Sequence, residues 1–241
     1  DDFDGLWGIW DHKFLEFYSK QLNEFPQPFV SAFFSVSSHH PFKVPEEFEN
    51  TFRGGPLPMH KCVQYTDHAL RKFFAGISGM PWFRNTLFVI TADHTSSNIE
   101  FPEHRTAWGF YSVPVIFYRP DDSFGGKRDQ IIQQIDIMPS VLGYLNYDRP
   151  YVAFGRDVFK ETTEPFAFNY KDNTYQLFEK EFLLVFDGSR TLGLYNFRKD
   201  RMVEKNLMND QLKVVEAMEQ KIRAIIQQYN NRLMDDRLTV E

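Results

Sequence analysis

Apolar positions recur along this chain in two rhythms. Lys13 to Asn23 carries them at helical spacing and stops ahead of Pro26 and Pro28, which predicts an amphipathic helix. Phe29 to Val36 (FVSAFFSV) is nearly continuous in apolar character and reads as a strand. Tyr65 to Ile77 returns to helical spacing, with Tyr65, Ala69, Phe73 and Phe74 on one face. Leu87 to Ala92 is a short apolar, β-branched run that ends abruptly at Asp93-His94, the pattern of a buried parallel strand. Val113 to Tyr118 is a second such strand, closed by Pro120. Asp129 to Leu145 reads as a helix through Ile131, Ile132, Ile135, Met138, Val141 and Leu142. Strands separated by helices of this length imply βαβ units, hence an α/β fold with a mostly parallel sheet flanked by helices.

The pattern changes after about residue 160. Pro165 to Tyr170, Glu181 to Phe186 and Leu192 to Phe197 read as strands, the last two joined through the turn pair Asp187-Gly188, so they pair antiparallel. Asp210 to Leu233 predicts a long helix whose stripe of Val215, Met218, Ile222, Ile225, Ile226, Tyr229 and Leu233 packs on that small sheet. The expected division is an α/β core over 1–160 and an antiparallel-sheet subdomain with its helix over 161–241.

Composition narrows the function classes. The net charge of −6 is spread over interspersed acids and bases, with no basic stripe to bind nucleic acid. A single cysteine, Cys62, rules out an internal disulfide framework. No apolar run approaches the roughly 20 residues of a membrane span. The sequence opens on Asp1-Asp2 without Met and reads as a piece of a longer protein.

The candidate chemistry sits at strand ends. In open α/β sheets ligands collect at the carboxyl ends of strands. Asp93-His94 places one hard oxygen and one borderline nitrogen at such an end, a natural pair of metal ligands. The same dipeptide also suits an exposed loop that caps a following helix. Ser37-Ser38-His39-His40-Pro41-Phe42 follows the FVSAFFSV run, where an imidazole can bind an anionic oxygen, give a proton to a leaving group or ligate a metal, or belong to a loop without a role. His104 lies ten residues past His94 in a polar loop, equally readable as a surface histidine beside Glu103 and Arg105. Trp7-Gly8 suits a pocket wall or simple packing, and Arg128, Asp136 and Arg156 suit buried ion pairs or substrate contacts. The chain has no phosphate-binding glycine loop, no Cys-x-x-Cys and no nucleophile elbow.

Four stretches together resemble the sulfatase-like branch of the alkaline phosphatase superfamily, and within it the lipoteichoic acid synthase family. SSHHPF is similar to its histidine-x-Pro-aromatic element. YTDHALRKFF with the run into Asp93-His94 resembles its "Y-x-D-x-x-L-x-x-F … N-T-L-x-V-x-x-x-D-H". VPVIFYRP, QIIQQIDIMPSVLGYL and FGRDVF resemble "P-x-I-x-Y-x-P … Q-x-D-I-x-P-T-L-L … G-x-D-L-F". LGLYNFRKDRMVEKNLMND is similar to the sulfatase ending "E-L-Y-D-L-x-x-D-P-x-E-x-x-N-L".

The resemblance implies a metal-dependent hydrolase or transferase acting on a sulfate or phosphate ester, including glycerophosphate transfer to the cell envelope. It implies that Asp93 and His94 hold a divalent ion (Mn, Zn, Mg or Ca), that His39 contacts the phosphate or sulfate group with His40 next to it, and that His104 and Trp7 line the substrate. It also implies a substrate that is a small-molecule or lipid-linked ester, and a membrane-anchored parent working outside the cytoplasm. Thr95 stands where relatives carry glycine or tyrosine. The family nucleophile and its acidic ligands have no match here, so the chain corresponds to the C-terminal half of the catalytic domain, needs the N-terminal half of the same polypeptide, and alone is expected to be inactive. A degenerate, non-catalytic binding domain of the same superfamily is the alternative.

Overall fold

A computed structural model describes residues 2–121, 124–160 and 164–240. The chain forms two compact units, one built from 1–89 and 116–125, the other from 90–115 and 126–241. The expected boundary near residue 160 adjoins 161–163, which lie outside the described residues.

The first unit rests on two helices. α1 (Asp11–Glu24) and α2 (Met59–Ile77) pack through Leu15 and Leu22 against Ala69, Phe73 and Ile77, joined by Trp82 and Phe83. These are the stripes that the helical spacing marks, and burying each large side chain contributes roughly 1.5–3 kcal/mol. Val44, Cys62 and Tyr65 form a second small core on α2. Burial pushes the Cys62 thiol up to about 11, which makes it an inert packing residue.

Two strands follow, β1 (Phe88–Thr91) and β2 (Val115–Tyr118), paired in a two-stranded sheet. The expected strand at Phe29 to Val36 does not form. The stretch has no regular structure, and no strand among the described residues pairs with it, so its apolar character is spent differently: Phe29 and Phe33 pack on the helix core, while Val30 is 94 % and Phe34 71 % exposed. Apolar patterning specifies a strand only where a neighbour supplies the ladder.

In the second unit α3 (Ala107–Phe110) is a single turn, and the expected helix from Asp129 begins late. Residues 129–133 are irregular; a 3-10 turn at Gln134–Asp136 leads into α4 (Ile137–Tyr144). The delay has a cause in the side chains. Asp136 is buried and accepts the Gln133 N–H at 2.9 Å, a capping box that fixes the helix start well inside the apolar pattern.

The C-terminal part is as expected, with one addition. β3 (Phe166–Lys171), β4 (Thr174–Glu179), β5 (Phe182–Phe186) and β6 (Thr191–Asn196) form an antiparallel meander in sequence order. β4 is the unforeseen strand: Asp172 and Asn173, both at positive φ, make the tight turn that links it to β3. α5 (Leu212–Met234) lays Met218 and Ile222 over Leu177, Leu184, Phe186 and Leu194. No helix among the described residues is long and apolar enough to cross a membrane.

Candidate functional site

In the second unit, β1 ends at Thr91, whose hydroxyl donates to Pro114 O at 2.9 Å and holds the strand end in place. The chain then bends, which lets two adjacent side chains face one point although neighbours in a strand diverge. Asp93 Oδ1 accepts the His94 N–H at 2.8 Å, leaving Oδ2 free, and Oδ2 lies 3.4 Å from His94 Nε2. His94 Nδ1 sits 2.7 Å from Thr95 O. Nδ1 therefore carries the proton and donates it to that carbonyl, so Nε2 presents a lone pair beside the carboxylate. Both side chains are exposed.

That geometry fits a metal ion. Two ligands at about 2.0–2.1 Å from one tetrahedral ion lie roughly 3.4 Å apart. Two donors are half a coordination shell, and among the described residues no group of three or more His, Cys, Asp or Glu side chains is arranged to hold an ion.

The loop is braced from two sides. Thr95 Oγ1 donates to Phe110 O at 2.5 Å, so the residue that departs from the family pattern anchors the turn onto the end of α3. Gln134 Nε2 donates to Ala92 O at 2.7 Å and to Asp93 O at 2.8 Å. Gln134 is a supporting residue that sequence reasoning missed; it was visible only as one letter of the QIDIMP motif.

His104 sits in a 3-10 turn, Pro102–Arg105, half-buried, its ring 6.0 Å from that of Trp108 and 6.3 Å from that of Phe101. Arg105 donates to Ile99 O, tying the turn to its own loop. Behind it, Gly109 of α3 packs so closely that a Cβ there would lie 2.5 Å from His104 Cα and closer still to Glu103 O. Gly109→Ala is expected to push the His104 turn aside at a cost of about 1–3 kcal/mol. A thermal melt together with the His104 imidazole NMR signal checks this: both should move, and an unmoved His104 signal would show that the turn is not seated on α3.

In the first unit, Trp7, His39 and His40 come together. A bridge between Phe3 and Ile9 closes a small N-terminal loop, in which Asp4 Oδ1 accepts the N–H groups of Leu6, Trp7 and Gly8. Burial alone would raise the Asp4 carboxyl, but those three donors hold it below the usual carboxylate range. Trp7 Nε1 donates to His40 O at 2.8 Å, and its ring centroid lies 4.2 Å from that of His39 and 5.7 Å from that of His40. His39 Nδ1 is 3.0 Å from His40 O, so this imidazole, too, leaves Nε2 open. The turn is set by His39 N–H to Val36 O and Phe42 N–H to His39 O, both at 3.1 Å. Both histidines are exposed. Of the charged residues singled out in the sequence, Asp136 and Arg156 are structural: Arg156 N–H donates to Asp136 Oδ1 at 2.8 Å, and Arg156 Nη2 to Ile131 O.

The profile of the sulfatase family matches residues 1–147, well over half of the chain. The chain belongs to the sulfatase family. Among curated proteins, it is 26 % identical over 186 residues to the lipoteichoic acid synthase-like protein YvgJ of Bacillus subtilis, covering 67 % of this chain and 29 % of that protein. It is 27 % identical over 111 residues to phosphoglycerol transferase I of Citrobacter koseri, covering 43 % of this chain and 14 % of that one. Among solved structures, a protein of the alkaline phosphatase superfamily from Vibrio parahaemolyticus superposes on 99 % of this chain and 58 % of its own, with a TM-score of 0.79 and 21 % identity. The lipoteichoic acid synthase LtaP of Listeria monocytogenes superposes on 93 % of this chain and 58 % of its own, with a TM-score of 0.70 and 19 % identity. The fold is thus alkaline phosphatase-like, within the branch that includes lipoteichoic acid synthases. This chain spans less than a third of each of the two curated relatives.

Proposed function

We propose that this sulfatase-family chain is the part of a phosphate or sulfate ester transferase or hydrolase that supplies two metal ligands and the anion contact. Phosphoglycerol transfer from a lipid-linked donor is the favoured reaction. The observation that carries the reading is the Asp93–His94 pair, whose Oδ2 and Nε2 stand 3.4 Å apart with both lone pairs free. Family membership makes ester chemistry the context, and the names of YvgJ and phosphoglycerol transferase I favour glycerophosphate over sulfate.

Asp93 and His94 hold the ion, and one oxygen with one imidazole suits Mn or Zn better than Mg or Ca. A divalent ion in such a site lowers the pKa of a hydroxyl nucleophile and neutralises charge on non-bridging oxygens. His39 donates a hydrogen bond to the anionic group from Nε2, which carries a proton in that contact, with His40 beside it and Trp7 walling the same loop. His104, braced by Gly109, is a further substrate contact. Residues 1–160 act as the α/β core and 161–241 as a supporting subdomain. The remaining ligands and the nucleophile come from the N-terminal half of the same polypeptide, in a membrane-anchored, extracytoplasmic protein.

The test is turnover by the longer parent protein. Phosphatidylglycerol, p-nitrophenyl phosphate and p-nitrophenyl sulfate are compared with and without Mn²⁺ or Zn²⁺. Metal-dependent release of diacylglycerol is expected, and no turnover of any of the three would leave the non-catalytic alternative. In the same assay, Gln134→Ala should cost about 10–100-fold in metal affinity or rate, because it frees the backbone on which Asp93 rides.

A further inference from the structure

Asp11 is an unexpected group to find buried. It opens α1 and is only 1 % exposed, yet among the described residues it forms no ion pair. Hydroxyls hold it instead: Oδ2 accepts from Ser35 Oγ at 2.5 Å and from Thr66 Oγ1 at 3.1 Å. The Asp11 N–H in turn donates to Ser37 Oγ at 3.1 Å, and Ser37 is 4 % exposed. Beside it, the fully buried Tyr65 hydroxyl accepts the His12 N–H at 3.3 Å. The helix N-terminus favours an anion at this position. It does not call for one that is removed from water, since a carboxylate is costly to desolvate and an apolar residue fills the same volume without that cost.

What the carboxylate grips explains its presence. Asp11 binds both Ser35 and Ser37, one through Oδ2 and one through its N–H, on either side of the point where the irregular stretch enters its turn. The next residue but one is His39, whose N–H closes on Val36 O inside the gripped stretch. No strand among the described residues pairs with Phe29 to Val36, so side-chain bonds to α1 stand in for the missing ladder.

We propose that Asp11 is a positioning residue: through Ser35 and Ser37 it fixes that stretch against the first turn of α1, and so presents His39 and His40 to the substrate anion in one geometry. This rests on the reading that His39 contacts that anion. Thr66 supplies the internal control, because it bonds the same Asp11 oxygen from α2, away from the histidine stretch.

The experiment uses the 241-residue chain with ¹³C-labelled histidine, inorganic phosphate as probe, and the variants Ser35→Ala, Thr66→Ala and Asp11→Asn. His39→Gln and His40→Gln assign the two signals. Ser35→Ala and Thr66→Ala should lower Tm by similar amounts, each removing one hydroxyl from one carboxylate. Only Ser35→Ala, and Asp11→Asn with it, should shift or broaden the His39 and His40 signals and weaken the phosphate response at least threefold. If Ser35→Ala and Thr66→Ala, both folded, leave these signals alike, Asp11 is merely structural and the proposal falls. That comparison stands even where Asp11→Asn does not fold. Wild-type histidines that ignore phosphate would remove the anion reading alone, while the ring signals still decide whether Asp11 positions them.

Discussion

Asp93→Ala is expected to remove saturable Mn²⁺ or Zn²⁺ binding and to lower ester turnover in the parent protein by about a thousandfold or more. The magnitude follows from the several kcal/mol of transition-state charge stabilisation that a bound ion supplies, with each 1.36 kcal/mol worth about tenfold. His94→Ala should give the same loss, and the double variant should add little, because one missing ligand would already empty a site that has few. Asp93→Asn is the sharper probe. An amide oxygen still accepts the His94 N–H, which Asp93 Oδ1 now takes at 2.8 Å, so the loop keeps its shape while the ligand loses its charge. Calorimetric titration and steady-state kinetics are the measurements. An unchanged circular dichroism spectrum with at least a hundredfold weaker metal binding is expected; unaltered one-site binding in Asp93→Asn would place the ion elsewhere.

The legible parts of the fold are those whose stabilisation is local or nearly so. The stripes on α1, α2 and α5 are written at a spacing of 3.6, and Met218 and Ile222 of α5 are buried over Leu184 and Leu194 as expected. Tyr229 and Leu233, at the far end of the expected α5 stripe, are instead 47 % and 52 % exposed because the helix runs on past the sheet core. The strand at Leu87 to Ala92 is legible because an apolar, β-branched run ends at a polar pair, and β1 ends there within a residue. Phe29 to Val36 was misread because its pattern is that of a strand while a strand also needs a neighbour. β4 was passed over because Thr174, Gln176 and Glu179 dilute its apolar alternation, although Gln176 is buried once the meander closes.

The candidate site divides along the same line. Asp93, His94 and His39 stand out in sequence because each follows an apolar run with a chemically reactive side chain. Gln134, Thr95, Gly109 and Asp11 do not, because what they do depends on distant backbone: Gln134 reaches Ala92 O across more than forty positions. Likewise the motif QIDIMP … FGRD looks like chemistry and is architecture. Its carboxylate binds the Arg156 N–H, and Gly155 packs against the Ile135 carbonyl so tightly that no side chain fits.

That architecture sets the last expectation. Asp136→Ala is expected to destabilise the protein by about 2–5 kcal/mol at neutral pH, because it orphans the buried N–H groups of Gln133 and Arg156, at roughly 1–3 kcal/mol each. Burial is the larger influence on the Asp136 carboxyl and raises it, although both N–H donors and the Arg156 charge pull it down. A folded-state value above the unfolded one means that the folded protein holds the proton more tightly. The stability this carboxyl contributes is then greatest below the carboxylate range and declines as pH rises through it. The gap in Tm between wild type and Asp136→Ala should therefore be wider at pH 4 than at pH 7, and a gap that narrows toward acid would show the opposite shift. The loss should also reach the Asp93–His94 loop. Asp136 closes the turn that begins with Gln134, so Asp136→Ala should weaken metal binding by about the 10–100-fold expected of Gln134→Ala, while a distant core change such as Leu184→Ala lowers Tm and leaves metal affinity intact.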